Sequence, residues 1–216
     1  VSLYTSRVVL QTLGVEDYGI YGVVGGVVAM FSFLNTTMAR ATSRFLTFEI
    51  GHGDKEQLKK IFSTSITIQF VIAIIIFLLS EIIGIWFIEA KMQIPPERLN
   101  ASRWVLHCSL FTFCINLLSV PYNACIIAHE RMNAFAYIGI FEVIMKLVIC
   151  YLIIVSPFDR LISYALLMML LAVVVRIIYG IYCNRQFVES RVKIGVDKDI
   201  FKKMLGCSGW SFFNNS

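Results

Sequence analysis

The stretch FAYIGIFEVIMKLVICYLIIV, Phe135 to Val155, is apolar over almost its whole length yet carries Glu142 and Lys146 near its middle. A helix rises about 1.5 Å per residue, so roughly 20 apolar residues cross a hydrocarbon layer about 30 Å thick. This stretch has that length, and its composition is not local. Across 216 residues, 58% are apolar, 13% aromatic and 15% charged, against about 25% charged in ordinary soluble domains. The mean hydropathy is +0.76. A water-soluble fold of this composition would have too little polar surface to cover itself, so the chain reads as an all-α integral membrane protein.

Working outward, five stretches are long and apolar enough to span: 18–38, 62–87, 104–128, 134–155 and 161–183. The opening VSLYTSRVVLQTL stops at Leu13, too early to span alone, and reads as the second half of a first helix. At the other end MLGCSGWSFFNNS rises in hydrophobicity as the start of a seventh helix would. The expected organisation is a transmembrane lobe over residues 1–186, holding part of helix 1 and helices 2 to 6. A connecting segment over 187–203 and the start of helix 7 over 204–216 follow, so the chain is expected to be truncated at both ends.

Positive charge sets the expected orientation, because short cytoplasmic loops carry the excess of Lys and Arg. Arg40, Arg44, Lys55, Lys59 and Lys60 follow the second helix, Arg131 the fourth, and Arg185, Arg191, Lys193, Lys198, Lys202 and Lys203 the sixth. The opposite loops hold only Lys91, Arg98, Arg103 and Arg160. The richer side is expected to be cytoplasmic. Most of the net charge of +5 is thereby explained as topology, and nucleic acid is not an expected partner.

Other signals are structural. The cysteines are dispersed with no C-x-x-C pair, so they read as small apolar packing residues and support neither a disulfide framework nor a metal site. No cofactor is expected. Gly22 and Gly26 form a G-x-x-x-G pair, which permits close helix approach in lipid. Pro121 removes a backbone donor within the fourth span. The connections HERMN and SPFDR are short, making their helices antiparallel neighbours. The stretch ARATSRFLTFEIGHGDKEQLKK reads as a longer basic connection broken by Gly51 and Gly53.

The intramembrane charges remain. A charge at the centre of a spanning helix costs roughly 2.5 to 3.5 kcal/mol, so Glu142 and Lys146 unpaired would oppose insertion by about 5 to 7 kcal/mol. They stand four apart with the acid nearer the N-terminus, which favours an intrahelical pair. The alternative is a face turned to a water-filled cavity. Lys146 lies about 18 Å along its helix from Ala134, too deep to reach either surface easily. Arg176 lies about 10 Å before the far end of its span, and helical side chains lean toward the N-terminus, away from that end. Arg7 lies about 9 Å short of the corner at Leu13. Glu81 is seven residues into the outer end of the third helix, placed to pair with one of these cations or to bind a coupling H+ or Na+. Three deep cations, Arg7, Lys146 and Arg176, against Glu81 and Glu142 suggest a mildly cationic interior suited to a phosphate-bearing substrate.

The run TSRVVLQTLGVEDYGIYGVVGGVVAMFSFLNTTMARATSRFLTFEIGHGD resembles the polysaccharide exporters and O-antigen flippases of the multidrug/oligosaccharidyl-lipid/polysaccharide exporter superfamily. The resemblance is carried by Arg7, by Leu13-Gly14 followed by Tyr18-Gly19, and by Arg44-Phe45-Leu46 with Glu49 and Gly51. VPYNACIIAHERMNAFAYIGIFEVIMKL looks like the fourth helix of that family leading into the fifth. The resemblance implies the six-helix N-terminal lobe of a MATE-like transporter, working by alternating access with a C-terminal lobe that this chain lacks. It implies no catalytic chemistry. By analogy Arg7, Lys146 and Arg176 would contact the pyrophosphate of an undecaprenyl-linked oligosaccharide, and Glu142 or Glu81 would serve ion coupling or charge pairing. Two other classes stay open: export of cationic drugs by the same fold, which calls for an acidic cavity, and a membrane-embedded glycosyl-transferring enzyme, for which the outer loops are short.

Overall fold

The computed structural model describes residues 2–29, 32–90, 95, 98–155, 159–187 and 190. They form six helices and, among the described residues, no strand: α1 Ser2–Ala29, α2 Ser32–His52, α3 Lys55–Ala90, α4 Leu99–Ala128, α5 Met132–Val155 and α6 Arg160–Gln186. Helices from α3 to α6 are each long and apolar enough to cross a membrane, matching four of the five expected spans. The fifth, 18–38, runs from α1 into α2 across residues 30 and 31, which lie outside the described residues. So does all of the expected helix 7 and, but for residues 187 and 190, the connecting segment before it.

The corner expected at Leu13 is a break within α1. Gly14 has φ 86° and ψ 168°, a backbone setting that side chains disfavour and glycine adopts freely. The second breaker behaves differently from expectation. The stretch 39–52, read as a connection because of its charges, is helical. Met38, Ala41, Thr42 and Leu46 are buried at i, i+3, i+4 and i+8, while Arg40 and Arg44 are exposed. That is an amphipathic stripe, and its period decides the structure where its charge density suggested a loop. Only at Gly53 (φ 77°) does the helix stop, with the Gly53 amide bonded to the Glu49 carbonyl at 3.0 Å. Asp54 then caps α3, its Oδ1 accepting from the amides of Glu56 (3.0 Å) and Gln57 (3.1 Å).

The α4–α5 turn is equally explicit. Glu130 sits at φ 55°. Its amide reaches the Ile127 carbonyl at 3.0 Å, and the Arg131 amide reaches that of Ile126 at 3.0 Å. This is the paired bonding of a Schellman cap, with a glutamate where glycine is usual. At the start of α6 the Leu161 amide donates to Asp159 Oδ1 at 3.0 Å.

The chain divides into two compact units, and α3, α4, α5 and α6 each contribute a segment to both. The first comprises Val1–Phe31, Ile75–Ile115 and Gly139–Val175. Its interior includes Ile88, Leu106, Leu110, Ile153 and Leu161, all essentially inaccessible. At Gly84 α3 lies tight against α4: a Cβ there would lie 2.8 Å from both terminal methyls of buried Leu106. Among the described residues the G-x-x-x-G pair does not play that part. A Cβ at Gly22 or Gly26 would meet nothing within 4 Å among the described residues, so the spacing reports an open face and the close contact falls at a glycine outside the motif. The second unit comprises Ser32–Ile74, Asn116–Ile138 and Arg176–Ser216. Here Phe62 packs edge-on against Tyr122 at 5.2 Å, and Leu46, Ile68, Leu117 and Ile126 close the interior. Pro121 is buried within a continuous α4.

Candidate functional site

Each expected site residue has a definite place. Lys146 Nζ lies 2.6 Å from Glu142 Oε1, one turn apart on α5, with both side chains a little over one-third exposed. The acid stands N-terminal to the base, so the pair runs with the helix dipole. The two charges therefore meet within one helix.

Glu81 on α3 meets none of the three cations at bonding distance. Its Oε1 lies 2.7 Å from Nδ1 of His107 on α4. The contact joins a carboxylate of α3 to an imidazole of α4. His107 had no role in the sequence reading. Its signal was visible as a titratable residue inside the apolar run WVLHCSLF, but only the packing of α3 on α4 names its partner.

Arg176 overturns one expectation. Its guanidinium carbon lies 3.8 Å from the centre of the Tyr122 ring, close contact for a cation over an aromatic face. Its Nη1 lies 3.2 Å from where a Cβ on Gly180 would stand. The side chain thus runs toward the C-terminal end of α6, against the usual lean of helical side chains. The reason is local: glycine at i+4 leaves the groove open, and Tyr122 presents its π face there. The Tyr122 carbonyl in turn accepts from the Cys183 thiol at 3.7 Å.

Arg7 is exposed on α1 and holds no ion pair among the described residues. Arg7, Glu81, Glu142 and Lys146 belong to the first unit and Arg176 to the second.

Arg98, counted from sequence as a topology signal, is a hub. It reaches Asp159 at 2.7 Å and Asp17 at 3.4 Å, while Arg160 donates to the Thr12 carbonyl at 3.1 Å. These contacts tie the Gly14 corner to the starts of α4 and α6. Asp17, just ahead of the expected span from Tyr18, is buried; desolvation pushes its carboxyl above the usual carboxylate range, against the pull of Arg98.

Several interior polar groups lack a protein partner among the described residues. Gln69 is wholly buried with neither amide atom bonded, and Thr42, Ser80 and Asn123 each leave one oxygen unbonded. Such groups are costly in a dry interior and ordinarily meet water or a polar ligand. No group of three His, Cys, Asp or Glu side chains converges as metal ligands among the described residues.

Ile82, Ile75, Leu78 and Trp86 of α3, and Ile140 and Leu152 of α5, are all about half exposed or more. Apolar side chains exposed along helices of spanning length face lipid. The protein is a multi-pass α-helical membrane protein. The family model named MatE matches residues 1–152, and the chain belongs to this family of membrane transporters. No curated protein and no solved structure matches it.

Proposed function

We propose that the protein is a flippase lobe that moves an undecaprenyl-pyrophosphate-linked oligosaccharide from the cytoplasmic to the outer leaflet by alternating access, for surface polysaccharide assembly. The observation that carries this reading is the residual charge. Glu142 is paired with Lys146, and Glu81 is hydrogen-bonded to His107. Arg7 and Arg176 have no carboxylate partner among the described residues. Two guanidinium groups are thus left without a carboxylate partner, which suits a phosphate-bearing substrate better than a cationic drug. Guanidinium groups also match phosphate oxygens in a two-pronged geometry that ammonium lacks.

In this reading Arg7, Arg176 and Lys146 contact the pyrophosphate, with Lys146 passing from Glu142 to substrate. Unbonded Gln69 and Asn123 add polar groups to a hydrated interior. Glu81 with His107 supplies H+ coupling, Na+ at Glu81 being the other possibility. The basic connections face the cytoplasm across the inner membrane, the acyl tail stays among membrane lipids, and a C-terminal lobe completes the site.

The test uses the full-length protein in vesicles with a fluorescent lipid-linked oligosaccharide. Arg7→Ala and Arg176→Ala should each lower flipping at least tenfold at normal protein level, while Arg176→Lys restores only part of it. Flipping that survives both alanine variants removes the arginines from the site. Export of cationic dyes that survives them, with no flipping by the wild type, favours an ion-coupled multidrug exporter.

A further inference from the structure

Within the second unit, the end of α2, the start of α3, the α4–α5 turn and the end of α6 surround a cavity of about 440 Å³. Its volume falls among those of ligand pockets, roughly 300 to 1,000 Å³. Ile50, Leu58 and Phe187 give it apolar surface, and the His129 imidazole lies flat on Phe187 with centroids 4.2 Å apart. Lys55, Lys59 and Arg131 line the polar side together with Glu49 and Asp54.

Two features point to an anion. First, none of Lys55, Lys59 and Arg131 holds an ion pair among the described residues, although Glu49 and Asp54 line the same cavity. Asp54 is already engaged in capping α3. Second, Lys55 and Lys59 stand in the first turns of α3, at the positive pole of its dipole, where a cation is unfavourable and an anion favoured. An anion in the cavity would answer both at once. The cavity also lies where α3, α4, α5 and α6, each able to cross a membrane, have an end. That is the level of the lipid headgroups, where basic pockets between helix ends hold anionic lipid.

We infer that this cavity is a phosphate-binding site at the membrane surface, distinct from the intramembrane charges and independent of the flippase reading. Lys55, Lys59 and Arg131 take the phosphate oxygens, and Ile50, Leu58 and Phe187 take the apolar part of an ester. The phosphate comes from a phospholipid headgroup or from a soluble phosphate.

The experiment follows thermal unfolding of the full-length protein in uncharged detergent as phosphatidylglycerol, phosphatidylcholine or inorganic phosphate is added. Phosphatidylglycerol should raise the midpoint and phosphatidylcholine should not. Lys59→Gln and Arg131→Gln should each weaken the apparent affinity about fivefold. Glu49→Gln should tighten it, a gain that a damaged fold would not produce. An Arg131-dependent shift with inorganic phosphate assigns the site to a soluble anion; a shift with phosphatidylglycerol alone assigns it to a headgroup. Absence of any anion-dependent shift, or affinities unchanged in all three variants, overturns the site.

Discussion

Lys146 Nζ lies 2.6 Å from Glu142 Oε1, so the two charges within the apolar α5 are one hydrogen-bonded pair. Removing either partner leaves a lone charge in a spanning segment, at a cost of roughly 2.5 to 3.5 kcal/mol. Glu142→Leu and Lys146→Leu should each lower the unfolding midpoint and the amount of inserted protein. The double variant should recover both, because the charges leave together. Flipping should stay lost in the double variant if Lys146 also meets substrate; a double variant that flips normally would confine the pair to neutralisation.

Arg176 depends on two neighbours that are not acidic. Tyr122→Phe keeps an aromatic face beneath the guanidinium and should leave transport near normal, whereas Tyr122→Leu should lose a contact of about 0.5 to 2 kcal/mol. Gly180→Leu places a side chain where Nη1 now lies, so it should reproduce much of the Arg176→Ala defect without touching the arginine. Transport assays on the three variants, with protein level as control, check this ordering.

Asp17 and Asp159 share Arg98 but contribute differently. Asp159 has the shorter contact and also caps α6, so Asp159→Ala should cost about 1 to 2 kcal/mol. Asp17 is desolvated, and its folded-state affinity for a proton exceeds its unfolded one. Its contribution is therefore fully present below the ordinary value of 3.8 and is lost as pH rises through the higher folded value. Asp17→Asn should flatten that part of the pH–stability profile and cost little near neutrality. Unfolding midpoints of the wild type and both variants across the acidic range give the comparison.

Glu130 holds a left-handed backbone at φ 55°, which costs a side-chain-bearing residue about 1 to 2 kcal/mol. It is exposed. Glu130→Gly should stabilise the protein, raising the midpoint by about 2 to 4 °C per kcal/mol gained. A lower midpoint would mean that the carboxylate contributes more than the strain it carries.

Much of this architecture is legible in the chain. Span length and hydropathy mark α3 to α6 because lipid imposes a length and a solvent on every helix that crosses it. The Gly14 corner is legible because backbone freedom is a property of one residue. The helical 39–52 stretch is legible only by its buried period, which the density of Arg and Lys masked. The Glu142–Lys146 pair is readable from spacing, since both charges belong to one turn of one helix.

Partnerships between helices were not readable. The sequence alone determines that this is a multi-pass helical membrane protein with charges set in its spans, because spanning length, hydropathy and i, i+4 contacts are properties of a single segment. Only the tertiary structure decides that Glu81 meets His107, that Arg98 gathers Asp17 and Asp159, and that Arg176 turns along its helix to lie on Tyr122. Those partners are separated by tens of residues and brought together by packing, and packing sets which charge meets an acid and which does not.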